Sequence, residues 1–98
     1  MSFASTTTNT KTVIKPPSMW KITLINDDFT PMEFVVQILL QIFHKSQEEA
    51  LTLTMRVHDQ GSAVVGLYTK DVATSKSFQV RMAAERYDHP LKCVAEEA

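Results

Sequence analysis

The sequence predicts an α+β domain in which three helices pack on a small three-stranded antiparallel sheet, in the order β-α-α-β-α-β. Three observations carry that expectation. In the first strand Trp20, Ile22 and Leu24 alternate with Lys21, Thr23 and Ile25, the period of a strand with one buried face. Residues 32–44 are nearly all apolar, so they form a helix that must be covered on most sides. Ser46 and Glu49 then stand at the capping-box spacing, which opens a second helix directly behind the first.

Taken in order, residues 1–15 are rich in Ser, Thr and Asn, carry no acidic residue and lack the periodic apolar side chains that would offset the entropy of ordering. Pro16-Pro17 ends this stretch, so residues 1–17 read as a flexible arm and residues 18–98 as the folded domain. The first strand leads into Asn26-Asp27-Asp28-Phe29-Thr30-Pro31-Met32. Here Thr30 and Glu33 match the capping box, with Pro31 at the first helical position, so the Thr30 side chain is expected to cap the first helix. The second helix runs to Gln60, where Gly61 is placed for a left-handed terminus, and the two helices form a hairpin. Residues 63–68 read as a buried strand. Thr69 and Asp71 suit the start of a third helix, whose buried stripe is Ala73, Val80, Ala84 and Tyr87. His89-Pro90 stops that helix, and residues 91–94 return as a short last strand. No internal repeat is present.

Length and composition narrow the function. At 98 residues and 44% hydrophobic, the chain can build one core but not two. A formal net charge of −1 leaves no electrostatic footprint for nucleic acid or an anionic membrane surface. The longest apolar stretch, residues 34–43, is too short to cross a bilayer and is broken by Gln37 and Gln41. Cys93 has no partner for an internal disulfide, and no secretion-like segment opens the chain, so a reducing cytoplasm is expected, with Cys93 a small core residue. Gly61 and Gly66 are the chain's two glycines, which excludes a glycine-rich phosphate cradle, and no cofactor is expected. His89 and Cys93 supply two metal ligands where zinc needs three or four, so no metal site is expected.

One constellation remains. Asn26, Asp27 and Asp28 present hydrogen-bond acceptors beside a helix start, a fit for an ammonium group with three donors, although the same residues also make ordinary turns. On the second helix Thr54, Val57 and His58 lie at i, i+3 and i+4, which sets a titratable ring at the border of an apolar face. His58 accepts a hydrogen bond from a cation only while one ring nitrogen is unprotonated. Two other readings use the same residues. Asp27 or Asp28 with His58 would serve a small acid-base enzyme, and a ribosomal-stalk-like interaction domain would use the loop as turn chemistry alone.

Several strings taken together resemble the ClpS family, the adaptors of the Clp protease. They are Pro-Pro-Ser-Met at 16–19, Leu-Ile-Asn-Asp-Asp-Phe-Thr-Pro-Met-Glu-Phe-Val at 24–35, Val57-His58, Lys76, and His-Pro-Leu-Lys-Cys at 89–93. The resemblance covers residues 16–98. It implies a non-catalytic adaptor that binds N-degron peptides and proteins whose first residue is Phe, Leu, Tyr or Trp and delivers them to the AAA+ unfoldase ClpA, or ClpC, for degradation. On that resemblance Asn26, Asp27, Asp28 and His58 would surround the substrate's α-ammonium. Thr30, Met32, Val35, Val57 and Leu91 would line the pocket for the first side chain, with Met32 as its gate. Thr54 stands where sequences of this kind commonly carry Met or another large apolar residue, so this chain is expected to have an enlarged pocket or an altered wall, and with it an altered specificity toward branched Ile and Val. Asp71 and Lys76 would contact the unfoldase, and the arm would help hand over the substrate.

Overall fold

In a computed structural model that describes residues 18–98, the chain runs β1 (Met19–Ile25), α1 (Met32–Gln41), α2 (Gln47–Gln60), β2 (Ser62–Thr69), α3 (Lys70–Arg86) and β3 (Lys92–Glu97). The three helices and three-stranded antiparallel sheet stand in the order the sequence predicts. The expected arm lies outside the described residues.

β1 is the central strand, with β2 and β3 antiparallel on either side. Its period-two pattern explains why: Ile22 and Leu24 are fully buried, and on the same face Cys93 and Ala63 flank Leu24 while Ala95 flanks Ile22. β2 departs from the fully buried strand expected for residues 63–68. It is an edge strand whose burial alternates, with Ala63 and Val65 inside but Val64 and Leu67 about half exposed, because only one face of the sheet is covered. The register shifts between Ile22 and Thr23, and Gly66 faces Ile22. A Cβ on Gly66 would meet the Tyr68 hydroxyl oxygen at 2.8 Å, so that position must stay bare for the ring to lie there.

α1 buries Val35, Ile38 and Leu39. It ends at Gln41, short of the expected residue 44, because His44 takes a left-handed conformation (φ 54°) and the Lys45 amide folds back onto the Leu39 carbonyl at 3.0 Å. Its start also differs from expectation. Pro31 occupies the N-cap with no side-chain cap, and the Thr30 hydroxyl is turned into the preceding loop. α2, by contrast, begins with the predicted capping box: the Glu49 amide donates to Ser46 Oγ at 3.1 Å and the Ser46 amide to Glu49 Oε1 at 3.3 Å. It closes at Gly61, whose φ of 88° is the left-handed conformation that favours glycine.

α3 lies against the sheet through Ala73, Val80 and Ala84. Tyr87, expected on that stripe, sits past the last helical turn and is 59% exposed, its ring meeting Phe34 edge-on at 6.0 Å. β3 extends to Glu97, and Leu91 lies just before it, buried in the same core. Among the described residues no helix is long and apolar enough to cross a membrane.

Candidate functional site

The loop between β1 and α1 is pinned at both ends. The Asn26 amide donates to the Gly61 carbonyl at 2.9 Å, so the left-handed turn that ends α2 also holds the first residue of the loop. Asp27 holds the rest. Its Oδ1 accepts from the amides of Phe29 at 2.8 Å and Thr30 at 2.7 Å, and its Oδ2 accepts from the Thr30 hydroxyl at 2.7 Å. Partial burial pushes the Asp27 carboxyl up, but the Thr30 hydroxyl, the Phe29 and Thr30 amides and the charge of His89 outweigh it, so the group lies below its ordinary value of 3.8. Thr30 does not cap the helix: its hydroxyl is turned to donate to this carboxylate three residues back, and Pro31 stands at the N-cap with no side-chain cap.

The clamped loop borders a cavity of about 240 Å³. Its polar side is made by Asn26, Asp27, Asp28 and Thr30 from the loop and by His58 near the end of α2. Its apolar side comes from three places in the chain: Met32 and Val35, one turn apart on α1; Thr54 and Val57 on α2; and Leu91 ahead of β3. All ten residues singled out from the sequence for amine and side-chain binding thus line one space. Burial grades across it, since Val35, Thr54, Val57 and Leu91 are buried whereas Asn26, Asp28 and His58 are exposed and Met32 is 37% exposed at the rim. Thr54 Oγ1 donates to the Ala50 carbonyl at 2.7 Å, so its hydroxyl hydrogen is already used within α2.

Asp71 and Lys76 lie outside this cavity and differ from each other. Asp71 is exposed in the first turn of α3, where it borders a shallow groove of about 710 Å³ with Trp20, Lys70, Phe78 and Arg81. Lys76 is half-buried. Its Nζ donates to the Ile42 carbonyl at 2.6 Å and lies 5.7 Å from the ring centroids of Phe43 and Tyr68. One contributor was not legible in the sequence. His89, which there serves as a helix stop, packs edge-on to Phe34 with centroids 4.6 Å apart and adds positive charge near Asp27. No local pattern announces a contact between residues so far apart in the chain.

Among the described residues no cluster of His, Cys, Asp and Glu is suited to hold a metal ion. Burial pushes the Cys93 thiol up, against a hydrogen bond with Ser77, in keeping with a small half-buried core residue.

The family model of the ATP-dependent Clp protease adaptor protein ClpS matches residues 15–94. The ATP-dependent Clp protease adapter protein ClpS of Paraburkholderia xenovorans is 52% identical over 85 residues, covering 87% of this chain and 82% of its own. That of Burkholderia thailandensis is also 52% identical, with the same coverage. Among solved structures, Agrobacterium tumefaciens ClpS2 bound to L-phenylalaninamide matches with a TM-score of 0.81 at 32% identity, covering 85% of this chain and all (100%) of that one.

Proposed function

Because the chain belongs to the ClpS family of Clp protease adaptors, which recognise substrates and catalyse nothing, we propose that its cavity captures the first residue of polypeptides beginning with Phe, Leu, Tyr or Trp. The protein then passes them to the ClpA or ClpC unfoldase in the cytoplasm. One observation carries this reading: exposed acceptors and a buried apolar wall share a single cavity of about 240 Å³. The phenylalaninamide held by the Agrobacterium relative offers the matching pair of features, a free amine next to an apolar ring.

Within the site the tasks divide. Asn26, Asp28 and His58 accept from the α-ammonium. Asp27 surrounds it too, but its carboxylate is largely spent on the loop, so it acts mainly by presenting the other acceptors and adding negative charge. Thr30, Met32, Val35, Thr54, Val57 and Leu91 receive the side chain, with Met32 gating the mouth.

Each charge-assisted hydrogen bond is worth about 1.5–3 kcal/mol net, and burial of a Leu or Phe side chain adds about 1.5–3 kcal/mol. Three such bonds and one buried side chain give roughly 6–12 kcal/mol before ordering costs, and the upper part of that range supports micromolar binding, near −8 kcal/mol, once those costs are subtracted. An internal Leu leaves the acceptors unpaired, and a first-position Lys or Asp fails at the apolar wall. Calorimetry with a Leu-first peptide and its N-acetylated twin tests the assignment. The free amine is expected to bind with micromolar affinity and the acetylated form roughly 100-fold more weakly or not at all; equal affinities would overturn it.

For delivery, Asp71 on the open face of α3 is the more accessible unfoldase contact, and Lys76 contributes by fixing α3 in place. Removing residues 1–17 should spare peptide binding and slow degradation by the protease, whereas a loss of peptide binding would assign the arm another task.

A further inference from the structure

We propose that Phe29 forms a second subsite at the mouth of this cavity, which takes an apolar side chain from the second residue of a bound polypeptide. The proposal rests on the N-terminal-residue reading of the cavity. Phe29 is 79% exposed, the most exposed large apolar side chain among the described residues. A loose loop tip would explain that exposure, but this tip is not loose: the Phe29 amide and the one after it both donate to Asp27 Oδ1, at 2.8 and 2.7 Å. The loop therefore holds an aromatic residue in water on a fixed backbone, against the general tendency to bury such rings.

Its place in the chain gives that ring a use. Phe29 stands between Asp28 and Thr30, both of which line the cavity, while Phe29 itself does not. Its backbone is thus flanked on both sides by cavity-lining residues, and its ring stands in solvent, as the partly exposed Met32 three residues on does in part. The α-carbon of a bound first residue carries an ammonium directed to Asn26, Asp28 and His58 and a side chain directed between Val35, Val57 and Leu91. Its remaining chain substituent, the carbonyl carbon, must leave through the open mouth. The second α-carbon follows about 3.8 Å behind the first, which brings the second side chain to the rim built by this loop. Phe29 meets it there with an aromatic face that prefers another ring or a branched aliphatic group to hydrogen.

The test is calorimetry on three peptides identical beyond the second position: Leu-Phe-first, Leu-Gly-first and N-acetylated Leu-Phe-first. The wild-type chain is expected to bind the Leu-Phe peptide roughly two- to tenfold more tightly than the Leu-Gly peptide. In Phe29→Ala the Leu-Phe affinity should fall to that of Leu-Gly, and in Phe29→Tyr the preference should persist. A wild-type ratio near one, or a ratio that survives Phe29→Ala, overturns the subsite while leaving the pocket in place. If the acetylated peptide binds as well as the free one, the pocket reading fails, and the subsite fails with it.

Discussion

Lys76 on α3 donates its ammonium to the carbonyl oxygen of Ile42, the residue that caps the C-terminus of α1, across 2.6 Å. The two are 34 positions apart. The end of a helix carries unsatisfied carbonyls and the negative pole of the dipole, so a lysine there satisfies an orphan acceptor and compensates charge at once. The flanking Phe43 and Tyr68 rings favour the cation further. Lys76→Met should therefore lower the unfolding free energy by about 1.5–3 kcal/mol, read as a shifted urea midpoint with unchanged slope. An unmoved midpoint would return Lys76 to the surface as a free contact residue, and any delivery defect of this variant has to be judged against its stability.

Thr54 is buried in the cavity wall, and its hydroxyl is already bonded to Ala50. Thr54→Met adds volume at that point without losing a hydrogen bond that the ligand uses. Peptides that begin with Ile or Val should weaken roughly tenfold relative to a Leu-first peptide, as expected when about 1–2 kcal/mol of overpacking falls on the branched side chain. Ratios that match the wild type would rule out position 54 as the determinant.

On the proposed reading His58 would accept from the ammonium, which requires an unprotonated nitrogen, so acid that charges its ring would replace an acceptor by a repelling cation. Peptide affinity should drop as that proton is taken up. His58→Gln keeps an acceptor oxygen at every pH and should lack this step. A variant with the full acid response would take His58 out of the ammonium site.

Asp27 has a folded-state carboxyl held below its ordinary value of 3.8. The sign follows directly: ionised Asp27 fastens the loop at every pH above that value, and the fastening is lost as pH falls through the lower folded-state value. Hydrogen exchange of the Phe29 and Thr30 amides, both bonded to Asp27, should stay protected at pH 5 and accelerate in strong acid, after correction for the intrinsic rate. Asp27→Ala should remove that protection at pH 5 and weaken peptide binding through the loosened loop.

Gly61 has φ of 88°, and a Cβ built there would meet nothing within 4 Å. Gly61→Ala therefore measures backbone strain alone and should cost about 1 kcal/mol in thermal or urea unfolding. A larger loss of peptide affinity than of stability would show that the Gly61 carbonyl, bonded to the Asn26 amide, sets the height of the acceptor loop.

Much of the fold was legible because it is written in short-range signals. The alternation of residues 20–25, the Ser46 and Glu49 capping box and the left-handed Gly61 each depend on neighbours within a few positions, and each holds in the structure. Where a local signal had a local competitor it misled, as when Asp27 drew the Thr30 hydroxyl away from the helix it was expected to cap. Tyr87 has the right spacing for the α3 stripe, yet the helix ends before it.

The sequence by itself determined the order of the elements, the acceptor-rich loop, and the family, through strings whose side chains need no partner to be recognised. Tertiary structure decided which apolar residues stay in water, among them Val64 and Leu67 on the uncovered sheet face, and whether Lys76 faces solvent or a helix end. It also closed the loop after β1, one side of α1 and of α2, and Leu91 around one cavity. Burial and charge pairing depend on distance in space, and in this chain the decisive distances join separate elements, as with Lys76 and Ile42 at 34 positions apart, which no short window along the sequence contains.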